Sequence, residues 1–509
     1  MNNPDTLVNQ AMLHRMKPHA VVIGSGFGGL AAAIRLGGRG YRVTVVEKLN
    51  RPGGRARVHQ QDGFTFDAGP TIITAKFLLE ELWELCGRRL EDDVDLRMMK
   101  PFYRIRFHDG EHFDYTGNPE HNRNEIARFS PEDVEGYERF MLAAADNYRV
   151  GFEGLVDKPF STLLDMIKVL PEMLKLRADR SVHALVSRYI RDPRIRQVLS
   201  FHPLLIGGNP YSASAVYTLI SHLEREGGVY SAMGGTGRIV DGMVKLIEHQ
   251  GNRLRCNAPV REVCVRDGSA HGVVLENGEY LDADLVISNA DVAWTYRHLT
   301  PGTVRRRWSD RRLERARYSN GLFVWYFGTR RRYEDVPHHS ILLGPRYKGL
   351  LKDIFRHKRL AEDFSLYLHR PTATDPSLAP EGCDCFYVLA PVPNLEADVD
   401  WEQQAEPFRL AVEKQLSDTV LPGLENELAT SLVTTPEHFQ RDLNAFRGAG
   451  FGMEPVLWQS AWFRPHNLSE DVRGLYFVGA GTHPGAGVPG VISSAKVVET
   501  LVPHASAFV

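Results

Sequence analysis

Residues 19–47 read HAVVIGSGFGGLAAAIRLGGRGYRVTVVE, and this stretch decides the fold of the chain. The apolar run at residues 20–23 predicts a buried parallel strand, residues 30–36 predict a helix, and the β-branched run at residues 41–46 predicts a second strand. The three elements together have the length of one βαβ unit, with a GxGxxG pattern at the turn into the helix. The stretch therefore predicts a Rossmann-like domain built on a parallel sheet.

The glycines of this turn predict the type of ligand. Gly24 permits the tight turn, Gly26 lets the backbone approach a pyrophosphate closely, and Gly29 lets the helix pack against the sheet. Phe27 and Gly28 lie in the turn before the predicted helix, whose N-terminus offers unpaired N–H groups and the positive end of the helix dipole to phosphate. These five residues are candidates for binding the phosphates of a dinucleotide.

Glu47 closes the second strand, and its carboxylate can accept hydrogen bonds from a ribose diol at about 20 residues after the glycine motif. Lys48 follows it directly and is included among the candidate residues. An ordinary glycine-rich turn is the alternative interpretation of the motif, but it leaves Glu47 without a role. We therefore predict that this unit binds a dinucleotide.

A second glycine pair follows Glu47, because residues 51–56 read RPGGRA. This turn resembles the flavoenzymes that bind FAD in a fold with two dinucleotide-binding domains. The resemblance implies that Gly53, Gly54 and Arg55 lie along the pyrophosphate and the edge of the flavin. A surface turn without such a role is the alternative interpretation.

The composition is that of a globular protein large enough for two or three domains. The chain has 509 residues, 43% of them hydrophobic and 24% charged, and a formal net charge of −2, so nothing indicates a nucleic-acid partner. The sequence contains no run of about 18 apolar residues that would span a membrane. Residues 1–20 contain no apolar signal-peptide core, and we expect the protein to work inside the cell.

The cysteines are few, scattered and odd in number, which is typical of a reducing compartment. Only Cys383 and Cys385 are close in sequence, and no histidine or further cysteine surrounds them. We therefore predict no metal site. The five cysteines are Cys86, Cys256, Cys264, Cys383 and Cys385.

Residues 161–190 allow two interpretations. The apolar residues of this stretch form a very wide surface, which Lys168, Lys175, Arg177 and Arg180 flank, and Pro171 is expected to break it into two helices. A wide apolar surface edged by cations is typical of a helix that lies in a membrane interface. A helix pair buried in a large core is the alternative.

The order of predicted elements indicates a mixed α/β fold in which the Rossmann-like domain is discontinuous. We assign residues 17–95, 226–297 and 470–509 to this domain, residues 96–130 and 298–469 to a mixed-sheet substrate-binding domain, and residues 131–225 to a helical region with a candidate membrane contact. A second glycine-rich loop, residues 479–487, precedes the last predicted helix and would face the dinucleotide. Its candidate residues are Gly479, Ala480, Gly481, Gly487 and Val488.

With these segments identified, the chain resembles the bacterial-type phytoene desaturases, which are carotenoid-biosynthesis flavoenzymes. The resemblance covers nearly the whole chain from residue 17, and the segment GAGTHPGAGVPG at residues 479–490 is its most specific part. Ala480 departs from the wider amine-oxidase superfamily, which often has an acid there. The other segments are VVIGSGFGGLAAAIRL, RPGGRA, DGFTFDAGPTIIT, LLIGGNPYSASAVYTLI, AEDFSLYLHRPTATDPSLAPEG and SAWFRPHN.

The resemblance implies one non-covalent FAD, association with a membrane surface, and successive dehydrogenations of phytoene to neurosporene or lycopene. Hydride would pass from an allylic carbon to the flavin, with loss of a proton from the neighbouring carbon. A membrane quinone or oxygen is expected to accept the electrons, because the sequence shows no iron–sulfur ligand set and no second complete GxGxxG. We expect a peripheral protein on the cytoplasmic side of the membrane.

No catalytic residue is assigned from the sequence, since a hydrocarbon substrate needs an apolar, shaped site rather than a triad. His202, His483 and Asp67 lie in or near the resembling segments and are interpreted as structural. Three alternatives stay open. The first is another carotenoid flavoenzyme, either a desaturase of diapophytoene, a hydroxycarotenoid or a carotene, or a carotenoid isomerase. The second is an amine oxidase, and the third is a non-catalytic lipid-binding chaperone on the same fold.

Overall fold

The computed structural model describes residues 17–508. Residues 1–16, on which most of the signal-peptide prediction falls, lie outside the described part. The strands are β1 His19–Ile23, β2 Arg42–Val46, β3 Val58–Gln61, β4 Phe64–Asp67, β5 Leu96–Met98, β6 Tyr103–Arg106, β7 His112–Tyr115, β8 Tyr230–Ala232, β9 Arg253–Arg255, β10 Val260–Arg266, β11 Ser269–Leu275, β12 Tyr280–Asp282, β13 Leu285–Ser288, β14 Gly321–Thr329, β15 His339–Leu342, β16 Leu366–His369, β17 Asp384–Val392, β18 Leu428–Thr434 and β19 Leu475–Phe477.

The α-helices lie between these strands or after them along the chain, and six of them follow one another between β7 and β8. They are α1 Phe27–Gly38, α2 Lys76–Glu84, α3 Pro119–Phe129, α4 Val134–Tyr148, α5 Leu163–Lys175, α6 Val182–Tyr189, α7 Pro193–Ser200, α8 Leu219–Gly227, α9 Gly237–His249, α10 Val292–Trp294, α11 Asp310–Arg315, α12 Tyr347–Lys352, α13 Trp401–Thr419, α14 Leu424–Glu427, α15 Pro436–Leu443 and α16 Val488–Leu501.

A five-stranded parallel sheet has the order β19-β13-β1-β2-β9, so its strands come from three separated parts of the chain. All five residues of β1 are buried, as expected for a central parallel strand with both faces covered. On one face Val22 packs with Leu30 of α1 and Val498 of α16, and on the other Val21 packs with Tyr296. The carboxyl ends of these strands meet at one edge of the sheet.

A second, seven-stranded sheet has the order β18-β14-β17-β16-β15-β6-β7 and is antiparallel except for the β15–β6 pair. Side chains alternate between its faces along each strand. Phe323 and Trp325 face a core formed with α13, which presents Phe408. Val324 and Tyr326 face the other side, where they pack with Phe64 and Phe66 of β4. This mixed sheet therefore supplies one wall of the space between the two sheets.

The predicted helix break at Pro171 is wrong, because α5 continues through Pro171 and the chain breaks instead at residues 176–181. A proline inside a helix removes one N–H donor, here the partner of the Ile167 carbonyl. Both residues are exposed, so water can take that hydrogen bond. Thr162 and Asp165 form a capping box that secures the start of α5, with Asp165 accepting from the Thr162 N–H at 2.8 Å.

A fully buried carboxylate joins three segments of the mixed sheet. Asp384, at the start of β17, accepts hydrogen bonds from Arg370 Nε at 2.9 Å, Thr372 Oγ1 at 2.7 Å and the Tyr333 N–H at 2.6 Å. Arg370 is itself buried, so its charge has no access to water if this partner is lost. The pair therefore fixes the β16–β17 connection against β14.

Replacing Asp384 with alanine should strongly destabilise the protein. Removing one partner of a buried ion pair leaves the other charge uncompensated, at a cost of about 3–5 kcal/mol. We expect a clearly lower thermal unfolding midpoint for Asp384→Ala. Asp418→Ala removes a carboxylate that pairs with Lys414 at the surface and should leave the midpoint unchanged. Equal midpoints for the two variants would contradict this assignment.

Candidate functional site

The first glycine motif forms the predicted tight turn at the carboxyl end of β1. Gly24 has φ +89°, a left-handed conformation that favours glycine, and its N–H donates to the Val46 carbonyl at 2.8 Å. A Cβ on Gly29 would lie 2.1 Å from the Gly24 carbonyl oxygen, so α1 can approach β1 this closely only with glycine there. The turn leaves the N-terminus of α1 pointing out of the sheet, where its free N–H groups can bind an anion.

Two backbone segments meet around the side chain of Asn289, which follows β13. A Cβ on Gly26 would lie 2.9 Å from Asn289 Nδ2, and a Cβ on Gly28 or Gly479 would lie 2.6 or 2.7 Å from Asn289 Oδ1. Gly479 has φ +95° and its N–H donates to Ser494 Oγ at 2.8 Å. We call residues 24–29, 53–54 and 479–481 together the glycine cradle.

The second glycine pair packs directly on the first turn. The Gly53 N–H donates to the Ser25 carbonyl at 3.0 Å, and a Cβ on Gly54 would lie 3.4 Å from Gly26 Cα. Gly53 has φ +116°, which holds the chain in this approach. On the C-terminal side, Gly487 has φ +96° and precedes α16, whose first residue is Val488. The cradle is therefore bordered by the N-termini of two helices.

Glu47 lies at the end of β2 and is buried beside the cradle. Its Oε2 accepts from the Ser25 N–H at 2.9 Å and Ser25 Oγ at 2.7 Å, and its Oε1 accepts from the Leu49 N–H at 2.9 Å. Each carboxylate oxygen keeps acceptor capacity for a ribose hydroxyl. The next residue, Lys48, donates to Asn444 Oδ1 at 2.9 Å. Burial lowers the pKa of Lys48.

Arg55 is the cation of the cradle, and its side chain is half-buried. Burial lowers the pKa of Arg55, and its Nε has no hydrogen-bond partner among residues 17–508. Asp291 is the nearby charge that counters this effect, and burial raises the pKa of Asp291. A guanidinium beside glycine turns, with a buried Nε that has no partner among the described residues, suits a phosphate or another electron-rich group of a ligand.

A cavity of about 680 Å³ opens from this cradle. It is lined by all the predicted binding residues except Gly29 and Gly481, which pack behind its wall. A Cβ on Gly481 would lie 2.6 Å from Val292 Cγ2, so this glycine serves loop packing. The predicted residues in the wall are Gly24, Gly26, Phe27, Gly28, Glu47, Lys48, Gly53, Gly54, Arg55, Gly479, Ala480, Gly487 and Val488.

Away from the cradle the same cavity is lined mainly by apolar and aromatic side chains. The mixed sheet contributes Ile341, Leu366 and Leu389, and the segment after α7 contributes Phe201 and Leu204. Met166, Val169 and Met173 line it from the inner side of α5. The cavity thus joins a dinucleotide cradle to an apolar compartment that reaches α5.

The three polar residues interpreted as structural occupy different places. Asp67 is buried and accepts from the Thr236 N–H at 2.8 Å beside the start of α9, and burial raises its pKa to about 6. His483 lines the cavity, its Nε2 lies 3.0 Å from the Leu155 carbonyl, and burial lowers its pKa to about 4. His202 contacts Glu224, with Nε2 3.1 Å from Oε2.

Sequence reasoning missed several polar residues of this site. Asn289 and Asp291 follow β13 at the same sheet edge as the glycine motif, and that position was the signal that could have identified them. Glu224 and Tyr367 also line the cavity. No local motif marks these two, because only the packing of α8 and β16 brings them to the wall.

Three buried histidines, His338, His339 and His369, bring their ring nitrogens within 4.8 Å of one another. Burial lowers all three pKa values, so the rings are neutral, the form that can bind a metal. However, the rings of His339 and His369 stack at 5.2 Å with planes 19° apart, so their in-plane lone pairs run nearly parallel. The absence of a metal site stays a prediction.

The residues present fit FAD. The glycine cradle leaves the space that side chains would fill, two helix N-termini and the unpaired Arg55 Nε face it, and Glu47 can take the ribose. The apolar compartment beyond the cradle gives a flavin ring a neighbouring space in which a substrate can lie.

Gly26→Val should abolish FAD binding, because the added side chain meets Asn289 in the cradle and projects toward the pyrophosphate. The measurement is the flavin absorbance per polypeptide of the purified variant after incubation with FAD. Gly38→Ala, at the end of α1, is the matched control, since its Cβ would meet nothing within 4 Å. Stoichiometric FAD in Gly26→Val would refute the placement of the pyrophosphate.

Solved structures with this fold include putrescine oxidase bound to putrescine. It superposes with a TM-score of 0.63 at 15% identity, covering 95% of this chain and 98% of that protein. At that identity the likeness concerns the fold alone. Residues 27–498 also match the family described as flavin containing amine oxidoreductase.

Curated relatives are much more similar. A neurosporene-forming phytoene desaturase of Rhodobacter capsulatus is 50% identical over 492 residues, covering 96% of this chain and 94% of the relative. A lycopene-forming phytoene desaturase of a Paracoccus species is 48% identical, covering 94% of this chain and 95% of the relative. Together with the cradle, these similarities confirm the resemblance drawn from the sequence: the chain is a FAD-dependent oxidoreductase that belongs to the phytoene desaturase family, within the flavin-containing amine oxidoreductases.

Proposed function

We propose that this chain desaturates phytoene by successive dehydrogenations that give neurosporene or lycopene. The observation that carries this proposal is the single cavity that joins the glycine cradle to an apolar compartment. A C40 hydrocarbon has no group that could form hydrogen bonds, so its site must select by shape and apolar contact. The substrates in the names of the similar proteins support the same choice.

The residues of this chain position the reactants. The cradle, Arg55 and Glu47 hold the dinucleotide, and the side chains from the mixed sheet and α5 hold the polyene and exclude water. Bound FAD supplies a hydride acceptor. Each reacting C–H bond must lie against the flavin ring, so successive desaturations require the polyene to shift along the apolar compartment.

The membrane surface is proposed as the source of substrate, with α5 as the contact. Met166 and Val169 of α5 face the cavity, while the outer surface of the same helix exposes large apolar side chains. Basic side chains at its border are exposed as well, which suits anionic lipid head groups. The exposed apolar residues are Leu163, Leu164, Ile167, Leu170 and Leu174, with exposed fractions of 44–64%. We call these five residues the outer face of α5.

We further propose that the protein binds the cytoplasmic face of the membrane peripherally and passes its electrons to a quinone or to oxygen. Among residues 17–508, no helix combines the length and apolar character needed to cross a bilayer. All five cysteines are free, which suits a reducing compartment. A membrane quinone is apolar and can reach the cavity by the same route as the substrate.

The proposed function is tested by incubating the FAD-loaded protein with phytoene in liposomes without oxygen, with and without an added quinone. We expect neurosporene or lycopene, identified by pigment analysis, only when quinone or oxygen is supplied. Phytoene left unchanged with every acceptor would contradict the function. Conversion of only a diapophytoene, hydroxycarotenoid or carotene substrate would favour one of the related carotenoid enzymes. If oxygen supports turnover and none of the added quinones does, the quinone is excluded as the electron acceptor.

The membrane contact is tested by placing charge on the outer face of α5. Leu164→Asp combined with Ile167→Asp should weaken binding to anionic vesicles in a sedimentation assay, because the helix would bury carboxylates in the lipid. We expect desaturation of liposomal phytoene to fall with it, while FAD content is unchanged. Leu410→Asp, at a half-exposed leucine of α13, is the control and should bind like the unmodified protein. Equal vesicle binding by both variants would contradict this contact.

A further inference from the structure

We propose that the Glu224 carboxylate accepts the proton that each dehydrogenation releases, and that His202 and Tyr103 position it. The inference rests on the proposed function, since it assigns the second half of the same reaction. Loss of a hydride leaves a cationic polyene, and the neighbouring carbon must then lose a proton to a nearby acceptor. The sequence had assigned no residue to this step.

Glu224 reaches the wall of the cavity from α8. Only 1% of the residue is exposed to solvent. Tyr103 of β6 donates its hydroxyl hydrogen to Glu224 Oε1 at 2.7 Å, and His202 Nε2 lies 3.1 Å from Glu224 Oε2. We call these three residues the Glu224 cluster. Two hydrogen bonds from different elements hold the carboxylate in one orientation.

The other carboxylates of the cavity wall lie around the cradle. Glu47 accepts from Ser25, Asp291 faces Arg55, and Asp442 lies beside Arg57 with which it forms an ion pair at 3.5 Å. Glu276 lies close enough to Lys48 to affect its pKa. Among the described residues of the cavity wall, Glu224 is therefore the acidic side chain that lies away from the cradle.

Glu224 has no cationic partner of fixed charge within residues 17–508, since its only ion-pair contact is with His202. Burying a carboxylate without such a partner is costly, and function is the usual reason to retain it. Burial, together with Glu224, raises the pKa of Tyr103 well above its usual value, so Tyr103 stays a hydrogen-bond donor. The cluster thus holds a carboxylate in a fixed orientation at the cavity wall.

The remaining polar groups near the wall are poorer acceptors. Tyr367 bonds with Thr71 Oγ1 and His339 Nδ1, both at 2.7 Å, but burial raises the pKa of Tyr367 and lowers that of His339 well below its usual value. Burial also lowers the pKa of His483 to about 4. These groups are neutral, and their environments disfavour the charged forms.

The atoms and electrons of the step balance. One C–H bond breaks with its electron pair, and this hydride goes to the bound flavin. The C–H bond on the neighbouring carbon then breaks, its electron pair becomes the second bond of the new double bond, and the proton goes to Glu224, which becomes a carboxylic acid. The hydride and the proton are the two hydrogens that the final acceptor takes when the flavin is reoxidised.

Glu224→Gln separates the two possible roles of this side chain. The amide can accept from Tyr103 and donate to His202, so it keeps both hydrogen bonds but cannot take a proton. In an anaerobic single turnover with liposomal phytoene, we expect formation of the desaturated product to slow by about 10²–10⁴-fold, the usual contribution of acid–base catalysis. FAD content and the thermal midpoint should be unchanged. Product formation at the rate of the unmodified protein would overturn the proposal.

Two further variants test whether the loss of rate is specific to the carboxylate of Glu224. Glu224→Asp keeps a proton acceptor and should restore part of the lost rate, and no recovery above Glu224→Gln would count against the carboxylate as acceptor. Glu454→Gln changes another buried glutamate, which pairs with Arg317 at 2.7 Å and does not line the cavity, and it should form the desaturated product at the normal rate. An equally slow Glu454→Gln would show that the loss is not specific to Glu224.

An infrared difference spectrum of the unmodified FAD-loaded protein keeps the inference testable if Glu224→Gln does not fold. Recorded on anaerobic reduction by phytoene, it should show a new band of a protonated carboxyl group, and its absence would overturn the proposal. Failure of the proposed function and failure of this inference give different results. If phytoene does not reduce the flavin of the unmodified protein at all, the proposed function fails; if it does and no carboxyl is protonated, only this inference fails.

Discussion

Two stretches of backbone approach the side chain of Asn289 so closely that a Cβ on any of three glycines would lie less than 3 Å from it. Gly26 and Gly28 come from the turn after β1, and Gly479 comes from the turn after β19, more than 400 residues later in the chain. The parallel order of the strands causes this meeting, because their carboxyl ends share one edge. The dinucleotide site exists only where these turns are in contact.

The cavity extends from this edge of the parallel sheet to the second, mixed sheet. One end needs polar groups that hold phosphates and ribose, and the other needs side chains that solvate a hydrocarbon. The two requirements are separated in space because the parallel sheet supplies the first and the mixed sheet with α5 supplies the second. A carboxylate within the apolar part, such as that of Glu224, therefore stands out, since its burial is costly and is offset here by hydrogen bonds with Tyr103 and His202.

α5 connects the cavity to the outside of the protein. Its inner residues line the compartment and its outer face exposes leucine and isoleucine, so the helix is apolar on more of its surface than a helix on an ordinary protein exterior. The sequence left open whether residues 161–190 form a buried pair or an interfacial helix. The exposure of the outer face favours the second interpretation, and it does so because the neighbouring elements pack against only one side of α5.

The sequence by itself determined the Rossmann-like unit, the cradle glycines, Glu47 and the family, because these depend on local backbone requirements that fix residue type and spacing. It also predicted a mixed sheet outside the Rossmann-like unit, which the seven-stranded sheet confirms. It misplaced the break near Pro171, since a capping box and exposure to water let the helix continue. Only the tertiary structure brought Asn289, Glu224, His202 and Tyr103 to their places, because contacts between residues far apart in sequence leave no local pattern.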